Sequence, residues 1–181
     1  RFGENNLIET IKESDEVLYP KEGRVTVSAF DLDELKQMAR LNPRRRIRLC
    51  AHHNANDVIH EMIIYHPKDT YVPPHKHLNK DESFHLISGE IDCIIFNNKG
   101  IVVETFPMAE FSSGNTFYYR IPSGTFHTQI FKRDTFFHEV TKGPFNREDT
   151  VIADWAPQEE DKELVTEFTH KLKYILKNYR N

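Results

Sequence analysis

Short runs of alternating apolar and polar residues occupy the middle of the chain, and they are rich in Ile, Val, Phe, Tyr and Thr. This composition and a period of two residues predict β-strands. The predicted strands span residues 45–51, 58–66, 83–87, 91–96, 101–106, 116–121, 127–131 and 135–141. Turn residues separate them, as in Asn97-Asn98-Lys99-Gly100, which is typical of a hairpin. About eight short strands spaced by turns predict an all-β sandwich or barrel, with a jelly roll as one option.

The first 43 residues combine helical and strand patterns. Alternation over residues 24–30 predicts a strand. Asp31 is expected to cap a helix with Glu34 as its capping-box partner, and Pro43 ends that helix. A weaker helical pattern near the start of the chain involves Leu7, Ile8 and Ile11.

The last 24 residues predict a single amphipathic helix after Pro157. Acidic residues suit its beginning and lysines suit its end. Its apolar face comprises Leu164, Val165, Phe168, Leu172, Ile175, Leu176 and Tyr179. This face packs on the chain's own barrel or forms a homodimer contact. We therefore divide the chain into an extension at 1–43, a barrel at 44–157 and a terminal helix at 158–181.

Composition excludes several classes of protein. The 181 residues include 24 basic and 28 acidic side chains, for a formal net charge of −4, which argues against bulk nucleic-acid binding. No run of apolar residues is long enough for a membrane span. Only Cys50 and Cys93 are present, so a disulfide-rich scaffold is excluded; a single bridge is possible, but two free thiols are favoured. Residues 1–6 lack a signal-peptide pattern, and we expect a cytoplasmic location.

Histidines and a glutamate recur at spacings that suit a metal site. On a strand, His75 and His77 point to the same side, and Glu82 begins the next apolar run. His127 begins another strand after a turn that contains Pro122. Three neutral imidazoles and one carboxylate around a divalent ion would leave a site charge near +1. If the ion is six-coordinate, two positions stay open for water or substrate.

These two stretches resemble the motifs of the cupin superfamily. The first is similar to His-x-His-x(4)-Glu-x(6)-Gly, and the second to Gly…Pro-x-Gly-x-x-His. The matching residues are His75, His77, Glu82 and Gly89, and then Gly114, Pro122, Gly124 and His127. The resemblance implies a cupin-type jelly-roll β-barrel, here with flanking N-terminal and C-terminal helices. The chain departs from the pattern in having Asp69 in place of a glycine, a longer run between Gly114 and Pro122, and Phe131 in place of an asparagine.

A narrower resemblance is to WbuC-type cupin-fold metalloproteins, over roughly residues 35–157. The matching segments are Pro43-Arg44-Arg45-Arg46, Pro74-His75-Lys76-His77, Glu82-Ser83-Phe84-His85, Phe126-His127-Thr128, His138-Glu139-Val140-Thr141-Lys142-Gly143-Pro144-Phe145 and Ala153-Asp154-Trp155-Ala156-Pro157. Such proteins are often encoded among genes for surface polysaccharide synthesis. The resemblance therefore implies a sugar or nucleotide-sugar ligand, and it leaves the reaction open.

Other residues are candidates for catalysis or substrate binding. Glu139 lies in an apolar strand, where a carboxylate is costly unless it is paired or functional, so it is a candidate acid/base or else a structural ion-pair partner. Tyr71 could line the site or donate a proton. Candidate substrate-binding residues are Gln129, Arg120 and Arg46. The run Arg44, Arg45, Arg46 and Arg48 suits phosphate recognition or simple pairing with acids. His85 has the wrong strand parity for a ligand.

Three functions remain open at this point. The first is an isomerase or epimerase in which a divalent metal acts as a Lewis acid on a sugar. The second is an Fe(II)-dependent dioxygenase, and the third is a carbohydrate-binding protein without turnover. Fe, Mn, Ni, Co or Zn could bind this set of nitrogen and oxygen ligands.

Overall fold

The computed structural model describes residues 9–21 and 23–179, which form two β-sheets and two α-helices. The strands are β1 (Thr10–Ser14), β2 (Val17–Pro20), β3 (Ile47–Cys50), β4 (Ile59–His66), β5 (His75–His77), β6 (Glu82–Ser88), β7 (Glu90–Phe96), β8 (Val102–Ala109), β9 (Tyr118–Ile121), β10 (Phe126–Phe131), β11 (Thr135–Lys142) and β12 (Thr150–Ile152). The helices are α1 (Ala29–Arg40) and α2 (Lys162–Tyr179). None of the described helices is long and apolar enough to cross a membrane.

The order of the strands is that of a jelly roll. Sheet A has the order β1-β2-β3-β4-β11-β6-β9, and sheet B has the order β12-β5-β10-β7-β8. When the strands β4 to β11 are counted from one to eight, sheet A contains 1-8-3-6 and sheet B contains 2-7-4-5. This order arises when two Greek keys are wrapped into facing sheets. The predicted all-β jelly-roll class is therefore confirmed.

Residues before the barrel extend sheet A. Strand β2 pairs parallel to β3, and β1 pairs with β2. The expected domain boundary at residue 43 thus lies between β2 and β3, which are neighbouring strands of sheet A. The predicted strand at 24–30 is wrong, because α1 begins at Ala29. Its N-cap is Ser28 rather than Asp31, and Asp31 bonds back to the Ser28 backbone to complete the capping box.

The helical pattern at the start of the chain has a different outcome. Ile11 lies in β1, not in a helix. Leu7 and Ile8 lie outside the described residues.

Three apolar clusters hold these layers together. The space between the sheets contains, among others, Met62, Phe84 and Phe137. Helix α1 covers the outer face of sheet A, and α2 covers the outer face of sheet B through Leu172 and Leu176. The predicted terminal helix therefore packs on the chain's own barrel, and the homodimer contact stays a prediction. Both cysteines are free thiols in buried positions.

Two glycines with positive φ offer a matched test of this packing. Gly89 has φ 110°, and a Cβ there would lie 2.7 Å from the backbone oxygen of Asp134. Gly114 has φ 75°, with nothing within 4 Å of such a Cβ. We expect Gly89→Ala to lower the free energy of unfolding by roughly 3 kcal/mol, from backbone strain plus steric overlap. Gly114→Ala should cost only about 1 kcal/mol, from strain alone. Urea denaturation of both variants checks this, and equal losses would contradict it.

Candidate metal centre

Three histidines from sheet B and one glutamate from sheet A converge at one end of the barrel. His75 and His77 lie on β5, and His127 on β10 is directly opposite His75. Glu82 is the first residue of β6 in the facing sheet. Their ligand atoms all lie within 4.8 Å of one another. The structure thus assembles the four residues that the sequence predicted as ligands, in a cluster that could hold a metal ion.

Hydrogen bonds at the far side of each imidazole orient these histidines. The Nδ1 of His75 is 2.9 Å from the Pro73 carbonyl oxygen, and the Nδ1 of His127 is 3.0 Å from that of Thr125. His77 Nδ1 is 3.1 Å from the hydroxyl of Thr150. A carbonyl only accepts, so a neutral His75 or His127 carries its hydrogen on Nδ1. Their Nε2 lone pairs then face the centre, as metal-binding histidines require.

The buried charges of the cluster suit a cation. Glu82 is 5% exposed, and its Oε2 lies 3.0 Å from His77 Nε2. The Nε2 of His127 is buried and makes no hydrogen bond within the described part of the chain; Glu82 Oε1 is 3.6 Å away. An orphaned imidazole nitrogen beside a buried carboxylate is costly unless an ion completes the group. The four residues therefore fit a divalent metal.

The pKa values of these groups follow from burial and mutual contact. Burial alone would raise the pKa of Glu82, but its interactions with His127 and His77 hold that pKa well below its usual range. Burial favours a lower pKa for His127, yet the contact with Glu82 raises it. Burial, reinforced by His127, lowers the pKa of His75 to about 4. Within the cluster, the environment therefore favours the ionised form of Glu82 and the neutral form of His75.

Tyr119, which was not predicted from the sequence, donates a hydrogen bond to the carboxylate of the cluster. The Tyr119 hydroxyl lies 3.3 Å from Glu82 Oε1, and it accepts a hydrogen bond of 2.8 Å from Gln129 Nε2. Both side chains are buried. The parity of β9 could have revealed it, because Ile121 pairs with Glu82 and residues two apart share a face. Gln129, a predicted substrate ligand, faces the interior but is engaged by Tyr119.

Glu139 lies on the interior face of β11, between Met62 of β4 and Phe84 of β6. Its carboxylate makes no hydrogen bond or ion pair with any residue that the structure describes. Burial, together with the negative charge of Glu82, raises its pKa to about 8. A carboxyl group with a raised pKa and no hydrogen-bond or ion-pair partner among the described residues is a candidate for proton transfer.

The remaining candidates lie outside the cluster. The Tyr71 hydroxyl donates to the Pro157 carbonyl oxygen at 2.8 Å, and its ring meets Phe168 of α2 edge-on. Arg120 is on the outer face of β9, where it forms an ion pair with Asp81. Arg46 forms ion pairs with Glu16 and Glu159. His85 points outward, as its parity predicted.

Comparisons with known proteins give matches of limited extent. A family model described as "Domain of unknown function (DUF6016)" matches residues 27–108. The curated proteins contain no match to the sequence.

Similar solved structures include the capsular polysaccharide assembling protein CapF from Staphylococcus aureus, at 17% identity over 54% of this chain and 27% of that one, with a TM-score of 0.44. Oxalate decarboxylase from Bacillus subtilis is 17% identical over 59% of this chain and 27% of that one, with a TM-score of 0.46. Oxalate decarboxylase from Lactobacillus farciminis is 19% identical over 53% and 27%, with a TM-score of 0.41. The chain thus spans about a quarter of the length of each. Its own jelly-roll strand order establishes the fold class.

Proposed function

We propose that this protein binds a divalent transition metal through His75, His77, Glu82 and His127 and isomerises or epimerises a sugar or nucleotide-sugar. The observation that carries the proposal is the orientation of the cluster. The imidazoles present Nε2 to one point beside a buried carboxylate, and the His127 nitrogen there has no other described partner.

The residues around the cluster have separate tasks in this proposal. The metal, when bound, supplies Lewis-acid polarisation of a carbonyl or hydroxyl oxygen. Glu139 accepts a proton from the sugar carbon next to that oxygen and later returns a proton to the sugar. Its carboxyl oxygens are free to do so. Tyr119, supported by Gln129, keeps the Glu82 carboxylate in place through its hydrogen bond. Orienting partners of this kind tune the affinity of metal sites.

The class of substrate follows from the resemblance to WbuC-type proteins, which implies a carbohydrate ligand. The site residues are compatible with Fe, Mn, Ni, Co or Zn, since imidazole and carboxylate accept all of these ions. We propose a small-molecule partner and a cytoplasmic location on the same grounds.

Exchange of a sugar proton with deuterated solvent tests the proposed reaction. The protein is purified anaerobically, its metal is identified by elemental analysis, and candidate sugars are followed by NMR in D2O. We expect metal-dependent loss of one C–H signal without oxygen uptake. Glu139→Gln should slow this exchange about 10²- to 10⁴-fold, the usual contribution of a general acid or base, while metal content stays unchanged.

Glu61→Gln is the matched control, because Glu61 lies on the neighbouring strand β4 but points outward. It should exchange at the wild-type rate. If the iron-loaded protein consumed oxygen with a sugar, the isomerase proposal would be rejected in favour of an Fe(II)-dependent dioxygenase. Sugar binding without exchange or uptake would replace it by the binding protein, and full activity in Glu139→Gln would remove Glu139 from the reaction.

A further inference from the structure

Four arginines lie close together before and within β3, and the structure separates their roles. Arg44 and Arg46 both contact the carboxylates of Glu16 and Glu159, at N–O distances from 2.6 to 3.3 Å. Arg45 occupies a left-handed turn position with φ 53°. Arg48 has no carboxylate within 4.0 Å among the residues that the structure describes; its side chain donates a weak hydrogen bond of 3.9 Å to Met62 Sδ. Within the described residues, the Arg48 guanidinium therefore forms no ion pair.

The parity of β3 directs this side chain toward the barrel interior. Ile47 and Leu49 pack with α1 on the outer face, whereas Cys50 belongs to the interior cluster. Arg48 shares the inward parity of Cys50. It pairs with Ile64 of β4, another interior residue. Unlike these neighbours, Arg48 is exposed, so its guanidinium is accessible to a solute.

The ladder of sheet A places Glu139 between Arg48 and the metal cluster. Met62, which Arg48 contacts, is the direct partner of Glu139 across β4 and β11. On the next strand, β6, Glu139 pairs with Phe84, two residues from Glu82. The charges of Arg48 and of Glu82 both act on the Glu139 carboxyl. The inner face of sheet A thus carries Glu82 of the cluster, the Glu139 carboxyl group and the Arg48 side chain in that order.

We propose that Arg48 binds an anionic group, a carboxylate or a phosphate, of the ligand that also occupies the His75/His77/Glu82/His127 centre. The guanidinium fork matches either anion with two parallel hydrogen bonds. A ligand that reaches from the cluster to Arg48 passes Glu139. This inference rests on the proposed function, for which it specifies an acidic sugar as substrate class.

Calorimetric titration of the Co(II)-loaded full chain tests the proposal with three matched sugars. Glucose 6-phosphate carries a phosphate, glucuronate carries a carboxylate, and glucose is neutral. We expect at least one of the two anions to bind tenfold or more tightly than glucose, and the tighter one identifies the anion. Arg48→Ala should weaken that binding about 10- to 100-fold, the usual effect of losing a charged hydrogen-bond partner. Arg48→Lys, which lacks the fork, should lie in between.

Arg44→Ala is the matched control, since it removes the same charge four residues away at an ion-paired position. Arg44→Ala should leave the affinity for the anion within about twofold of wild type. Arg44→Ala and Arg48→Ala should both leave the affinity for Co(II) within the same limit. The proposal would be overturned if Arg48→Ala bound the anion as tightly as wild type, or if both alanine variants lost the same affinity. It would also be overturned if neither anion bound more tightly than glucose. A failure of Co(II) itself to bind is seen in a separate titration, and it would reject the metal-centred function instead.

Discussion

His77→Ala should lower the affinity of the protein for a divalent metal by about 10²- to 10³-fold. Metal binding at a four-ligand site amounts to roughly 10–16 kcal/mol, so one ligand carries about a quarter of it. His77 contributes its Nε2 beside Glu82 Oε2, 3.0 Å away, and no other described histidine stands ready to replace it in the cluster. Elemental analysis after dialysis and a Co(II) titration measure the loss.

His85→Ala provides the control, because His85 lies on the outer face of β6 and is exposed. It should retain wild-type metal content. Circular dichroism of both variants verifies that the barrel is folded. One full equivalent of tightly bound metal in His77→Ala would remove His77 from the ligand set, and loss of metal in His85→Ala would place the site elsewhere.

Acidification should destabilise the protein through His66. This residue lies on β4 with its ring edge-on to Phe131 and Phe137, and its Nδ1 is buried without a hydrogen bond to the described residues. Burial, aided by the charges of Arg48 and Arg44, lowers its pKa to about 3. On acidification, His66 therefore binds its proton at about pH 6.5 in the unfolded chain but only near pH 3 in the folded chain. The free energy of unfolding should fall by roughly 1.4 kcal/mol for each pH unit from about 6.5 toward 3.

His66→Phe isolates this contribution, since phenylalanine keeps the aromatic packing and cannot titrate. As the pH falls from 7 to 4, the free energy of unfolding of the wild type should fall relative to that of the variant. His170→Phe, at an exposed position on α2, should leave the acid dependence unchanged. NMR titration of the His66 ring in the wild-type protein gives an independent measure, and a pKa near 6.5 would refute the assignment.

His75, His77 and Glu82 could be predicted from sequence because strand parity and a short connection fix their positions locally, whereas His127 reaches them through the pairing of β10 with β5. His75 and His77 need only an extended chain, and the main strands needed only their alternating pattern. The same parity explains why Arg120 points outward and could have identified Tyr119 as an interior residue.

Other features depend on contacts between distant parts of the chain. Strand β1 is largely polar and exposed, and it exists because β2 offers it a pairing edge. Strands β5 and β12 are three residues long, too short for a period to be recognised. The role of Arg46 depended on Glu159, 113 residues later. Asp69 adopts a left-handed conformation with φ 61°, which glycine adopts freely and aspartate tolerates.

The ion pairs of Arg44 and Arg46 have a consequence for the two ends of the chain. Glu16 belongs to the N-terminal extension and Glu159 to the segment before α2, yet both meet the same guanidinium groups. The Arg46 side chain is only 11% exposed. Loss of either glutamate would therefore leave the positive charge of Arg46 only partly neutralised. Energies of groups that share a partner do not add. The stability that one terminal segment contributes should therefore depend on whether the other is present, so that the two ends are thermodynamically coupled across the barrel.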